Sequence, residues 1–182
     1  MIMRHRLKGR HLGRNGTHRR ALMRNLTRAL ILTLDQEAVG AAKAGGRIRT
    51  TLAKAKEVRP FIEKLVTTAV KAKKCLDVAN QIKSPHERGS EEHKKWRATD
   101  AGQAWLKEQG KYIQRRRQLF DVLRSKKAVI LLIEQVAPRF EDRPGGYTRV
   151  AKIAKRRLAD GAYLAYIEFV GEPTRLTVES KS

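Results

Sequence analysis

The residues best equipped for chemistry in this sequence are cationic, and most of them are arginines. Arg4, Arg6, Lys8, Arg10, Arg14, Arg19, Arg20, Arg24 and Arg28 crowd its start, with His5, His11 and His18 among them. No acid appears between Met1 and Leu34; the first is Asp35. A guanidinium presents a planar fork that grips phosphate oxygens in pairs and stacks on a base, which a lysine cannot do. A run of like charges repels itself until a polyanion intervenes, and on nucleic acid each neutralised phosphate also releases counterions. The whole chain repeats this bias, with 41 Lys and Arg against 18 Asp and Glu and a formal charge of +23. The charge points to a polyanion and leaves open which one.

Plainer readings compete with that one. A basic run is often a solvated tail, but solvated faces mix signs and this one does not. An arginine-rich, acid-poor start is also the composition of a mitochondrial transit segment. The three histidines stand among like charges, with no thiol or carboxylate near them, so they read as RNA contacts rather than metal ligands.

Several function classes find no support. The lone Cys75 supplies neither a disulfide framework nor a thiolate zinc site, and reads as a small half-buried helix residue in a reducing compartment. The longest apolar runs, Ala29–Leu32 and Ala128–Ile133, are too short to cross a bilayer, and no apolar segment follows the basic start as a secretory signal requires. Asn15-Gly16-Thr17 and Asn25-Leu26-Thr27 match the glycosylation pattern, which means nothing without export. Walker-type, dinucleotide-binding, serine-hydrolase and zinc-protease motifs are missing. Glu91 and Glu92 are adjacent, so on a helix they diverge and make no acid–base pair. No enzyme, cofactor, metal, membrane or small-molecule substrate is expected.

The elements that would position the cations follow from pattern. Residues 1–16, with Gly9, Gly13 and Gly16 and only Leu7 and Leu12 as large apolar groups within Arg4–Gly16, cannot bury enough surface to order alone. They read as a disordered arm that folds on RNA. A helix is expected after Thr17 as N-cap, with Leu22, Leu26, Leu30 and Leu34 as its apolar stripe. Gln36–Gly46 reads as a loop and Arg47–Thr51 as a strand. From Leu52 a helix follows with Val58, Phe61, Ile62, Leu65, Val66, Ala69 and Val70 on one face, kinked or restarted at Pro60. Ser84–Gly110 mixes charges, and its Trp96 and Trp105 read as packing on the protein's own helices. Tyr112–Arg124 and Lys126–Val136 read as helices, the second ended by Pro138, and Tyr147–Ile153 and Ala162–Val170 as strands. Lys152, Lys155, Arg156 and Arg157 form a second cationic cluster between them.

Several blocks carry a specific resemblance. Met3-Arg4-His5-Arg6, Lys8-Gly9-Arg10, Arg14, His18-Arg19 and Arg24-Asn25-Leu26 come first, then Thr50–Glu57 with Arg59-Pro60. Pro138-Arg139-Phe140, Arg143, Gly145–Arg149 and Ala165–Glu168 follow. In this order they resemble the bacterial large-subunit ribosomal protein L17 family over most of the chain. Gln36–Gly46, roughly Lys74–Gly110 and Ala162-Tyr163-Leu164 depart from its pattern, the second as an apparent insertion.

The resemblance implies an α+β, two-layer domain over residues 17–170, with a small three-stranded sheet backed by helices, then a tail over residues 171–182. It implies a cytoplasmic, ribosomal location and a structural role in the large subunit. The partners implied are 23S rRNA, near the outer rim of the peptide exit tunnel, and neighbouring large-subunit proteins. The residues expected on RNA are Arg4, His5, Arg6, Lys8, Arg10, His11, Arg14, His18, Arg19, Arg20, Arg24, Lys54, Lys56, Arg139, Arg143, Tyr147, Arg149 and Lys152. A DNA-binding nucleoid-type protein and an RNA-modifying enzyme are the alternative classes.

Overall fold

In the chain order of the computed structural model, α1 (Gly16–Leu32) leads to β1 (Arg47–Thr51) and α2 (Leu52–Gln81). Next come α3 (Glu91–Ala98), α4 (Asp100–Leu123) and α5 (Lys126–Leu131), then β2 (Thr148–Arg156) and β3 (Tyr163–Phe169). Residues 9–35, 46–87 and 89–171 are described. Arg4, His5, Arg6 and Lys8, nearly all of the expected Gln36–Gly46 loop and the tail over residues 172–182 lie outside them. The expected α+β class holds, with several helices and one three-stranded antiparallel sheet in the order β1-β3-β2.

Two compact units divide the chain: Met1–Glu63 with Gly146–Ser182, and Lys64–Gly145. In the first unit, α1 starts earlier than expected. Asn15, not Thr17, is the N-cap, and its side-chain oxygen accepts the His18 N–H at 2.8 Å. Asparagine outranks threonine at this position, and its amide oxygen satisfies one of the free N–H groups of the first turn. The buried face also differs from the expected leucine stripe: it is Met23, Thr27, Leu30 and Ile31, with Leu34 beyond the helix end. Leu22 and Leu26 are only half-buried. Thr27 tolerates burial because its hydroxyl donates to the Met23 carbonyl at 2.8 Å.

β1 falls on the expected residues, and α2 follows it without a linker. The helix neither stops nor restarts at Pro60, which lies on an exposed position, where solvent takes up backbone groups a helix leaves free. Val58, Ile62, Leu65, Val66, Ala69 and Val70 are buried as the periodicity requires, while Phe61 is half-buried.

In the sheet, Ala165, Ile167 and Phe169 of the central strand alternate into the core. Glu168 points to the other face, in register with Arg47 of β1 on one side and Arg149 of β2 on the other. Between Lys152 and Arg156 the β2 register shifts, so β2 takes four residue steps where β3 takes two, from Ala165 to Tyr163. Such an irregularity re-aims the side chains on the bulged strand.

The second unit is helical. Leu119 and Leu123 of α4 and Ala128, Val129, Leu132 and Ile133 are buried, whereas Phe120 is exposed. The helix begun at Lys126 does not end at Pro138. It widens to a π turn over Leu132–Val136, then tightens to a 3-10 turn over Ala137–Phe140. Pro138 has no N–H to donate back along the helix, and the irregular turn accommodates that loss. Trp96 and Trp105 pack edge to face with centroids 5.7 Å apart, as the sequence leads one to expect. The bounds of the stretch expected to be an insertion, Lys74 and Gly110, fall inside α2 and α4, and α3 lies between them.

Candidate nucleic-acid interface

The described end of the arm turns before α1. The Arg14 N–H donates to the His11 carbonyl at 3.0 Å, and the Arg14 guanidinium bonds the Leu12 carbonyl at 2.9 Å and His18 Nε2 at 3.1 Å. Gly9 has φ +100°, and a side chain there would also come within 3.4 Å of Glu57 Oε1. Its glycine is therefore favoured by the backbone conformation, while the Glu57 carboxylate lies at ordinary contact distance.

The arm thereby meets the start of α2. A cleft of about 530 Å³ is lined by Arg10, Arg14, Lys54, Lys56 and Arg157, together with Thr51, Leu52 and Ala53. The first turn of α2 carries no acid, so its free N–H groups and the positive end of its dipole add to the cationic side chains. Asp160 supplies the cleft's one carboxylate. It is hydrogen-bonded to Arg157 at 2.7 Å and accepts the Ala162 N–H at 3.2 Å. These bonds, the arginine's foremost, hold its pKa down at about 2, and the same pairing raises that of Arg157. Arg10, Arg14, Lys54 and Lys56 have no carboxylate partner among the described residues. Beside this cleft, Arg10, Arg19 and Arg20 line a second hollow of about 260 Å³ with Glu57 and Phe61.

The other expected residues are distributed differently. His11 and His18 are exposed, and Arg24 is half-buried on α1. Arg149 is ion-paired with Glu168 at 2.5 Å, while Lys152 is exposed on β2. Arg139 and Arg143 are exposed in the second unit; partial desolvation lowers the pKa of Arg139. Tyr147 needs correction. It is 3 % exposed, so its ring is a core group and offers no surface for a base.

One participant escaped the sequence reading of the site: Arg157 belonged to the recognised second cluster, yet only the tertiary fold brings it to Arg10 and Arg14. Arg47 and Arg49 share one face of β1 and line neither hollow. Arg47 binds Glu168 at 2.5 Å and lies 4.7 Å from the Tyr166 ring centre. Cys75, by contrast, does no chemistry here. It is half-buried on α2 with Arg115 donating to its sulfur at 3.0 Å, and burial raises its thiol pKa.

No helix among the described residues is long and apolar enough to cross a membrane, and those residues hold no cluster suited to a metal ion. The profile of the family described as Ribosomal protein L17 matches residues 22–170. The chain is 47 % identical over 180 residues to the large ribosomal subunit protein bL17 of Rhodopirellula baltica, covering 96 % of this chain and 84 % of that one. It is 38 % identical over 168 residues to the protein of that name from Fervidobacterium nodosum, covering 92 % and 99 %. With the Campylobacter lari protein of the same name the identity is 35 % over 168 residues, with the same coverage.

Proposed function

The chain belongs to the ribosomal protein L17 family, and on that premise we propose that it is a structural, non-catalytic constituent of the large ribosomal subunit that binds and stabilises 23S rRNA. Its site is cytoplasmic, in ribosomes, near the outer rim of the peptide exit tunnel, among other large-subunit proteins. One observation carries the RNA contact: Arg10, Arg14, Lys54, Lys56 and Arg157 converge on one cleft beside the acid-free arm. Concave positive charge, with no carboxylate partner at Arg10, Arg14, Lys54 and Lys56 among the described residues, suits a phosphate backbone, and exposed His11, His18 and Arg20 extend that surface. Arg139 and Arg143 supply separate cationic contacts from the second unit.

The test replaces Arg4, Arg6, Arg10 and Arg14 by alanine. The variant should fold, incorporate poorly into subunits, and bind rRNA with a salt slope reduced by about 0.7–0.9 for each phosphate no longer neutralised. An unchanged slope with normal incorporation overturns the assignment of the arm. Absence of the wild-type protein from large subunits after a high-salt wash overturns the ribosomal role, and preferential binding to duplex DNA would favour a nucleoid protein instead.

A further inference from the structure

We infer that a cleft lined by the end of α2, by α3 and by α4 holds an unstacked nucleotide of single-stranded or looped RNA. The inference rests on the reading of the chain as an RNA-binding protein and extends it into the stretch that departs from the family pattern. The cleft measures about 410 Å³, within the roughly 300–1,000 Å³ typical of small-ligand sites. His93, Trp105 and Tyr112 offer aromatic surface, Lys83 and Arg116 positive charge, and Gln109 an amide able to read a base edge. No carboxylate lines it.

His93 is the most telling of these. It is only 8 % exposed and touches Trp96 and Trp105 with ring centroids 5.7 and 6.4 Å away. Its backbone N–H bonds the Ser90 hydroxyl at 3.1 Å, but its imidazole has no hydrogen-bond partner among the described residues. Because no buried side-chain nitrogen or oxygen among the described residues lacks a partner, the unbonded imidazole nitrogens of His93 are open to solvent, at the wall of the cleft. The side chains of Lys83, Gln109, Tyr112 and Arg116 are likewise without protein partners among the described residues.

Aromatic faces beside unpaired cations are how proteins hold single strands: bases stack while cations meet the phosphates. A protein partner would be the better reading if carboxylates balanced the lysine and arginine of the cleft wall; Glu92 pairs with His86 at 2.9 Å, whereas Lys83 and Arg116 have no carboxylate partner among the described residues. The two tryptophans make the test direct, since Trp96→Phe leaves Trp105 as the only indole.

In the full-length W96F protein, a short single-stranded oligoadenylate should quench Trp105 fluorescence saturably, and wild-type protein should give the same midpoint. Lys83 and Arg116 are exposed, so K83A/R116A should keep its fold. It should bind about tenfold more weakly, with a salt slope smaller by roughly 0.7 for each phosphate left without its cation. Adenosine monophosphate is the free-nucleotide arm and should bind far more weakly than the oligomer; duplex RNA should leave Trp105 unquenched. Equal affinity for the monophosphate, equal quenching by duplex, or no effect of K83A/R116A overturns the inference. Absent quenching in a protein that still shifts rRNA on a gel sinks this inference alone. Quenching without any binding to large-subunit rRNA sinks the proposed function and leaves the cleft assigned.

Discussion

In the unit that carries the sheet, the described acids are few and mostly engaged. Glu168 is clasped by Arg47 and Arg149, Glu63 accepts from Arg59 and Thr148, and Asp160 holds Arg157. In the unit from Lys64 to Gly145, acids stand one helical turn from lysine or arginine, as in Lys73–Asp77, Lys94–Glu91, Lys111–Glu108 and Arg124–Asp121. Exposed pairs of this kind contribute little stability, but they cancel charge locally. The first unit therefore holds a surplus of cations that nothing inside it neutralises, gathered at the cleft below the arm. The second has a more balanced exterior and concentrates its distinctive chemistry in an aromatic cleft. Charge that a fold leaves uncancelled is charge available to a partner.

The largest effect that would undo this contrast is at Glu168. Its side chain is 7 % exposed and Arg47's is 16 %, so Glu168→Ala strands a largely buried guanidinium. Removing one partner of such a pair costs about 3 kcal/mol or more. Urea unfolding measures it, and a loss below about 1 kcal/mol would mean that the sheet is not pinned by charge.

A smaller effect probes the other side of the contrast, where packing rather than charge should rule. A side chain at Gly102 would come within 2.3 Å of the Trp96 carbonyl oxygen. That close approach admits α4 directly after α3, and backbone cannot yield as a flexible side chain does. Gly102→Ala should cost about 1–3 kcal/mol by overpacking. It should also disturb the near-ultraviolet signal of the Trp96–Trp105 pair while leaving binding at the cationic cleft unchanged. A neutral result would show that the α3–α4 joint is not tightly packed.

The smallest effect is on pH dependence. Asp160 has its pKa lowered from 3.8 to about 2, chiefly by Arg157. A carboxylate depressed in the folded state stabilises the fold above its unfolded pKa and loses that contribution as pH falls through the folded value. The window is therefore about pH 4 to 2. Because Asp160 is exposed at the surface, the change in stability should be slight, and carboxyl NMR is the sharper readout. The Asp160 midpoint should lie near 2 and move toward 3.8 in Arg157→Ala. A midpoint already near 3.8 in the wild type would free Arg157 from its internal partner and add it to the uncancelled cations.

Local spacing alone encodes several of these elements. The alternation in Arg47–Thr51, the long apolar periodicity from Val58 to Val70 and the β-branched and aromatic run ending at Phe169 define theirs, because side-chain direction repeats with the backbone. The acid-free arm was equally legible, since charge is read from residue types. Which face of α1 turns inward was settled by packing. Leu22, Leu26, Leu30 and Leu34 recur every fourth residue, but each such step overshoots a helical turn by about 40°. The stripe therefore winds around the helix, and the surrounding core selected Met23, Thr27, Leu30 and Ile31 instead. Tyr147 went into the core for a similar reason: a tyrosine at a strand's start fits either environment, and only the surrounding fold chooses. Folding also carried Arg157 to Arg10 and Arg14, and grouped His93 with Trp105 and Tyr112. Those neighbours come from separate elements, and a periodicity confined to one element carries no record of which others will fold against it.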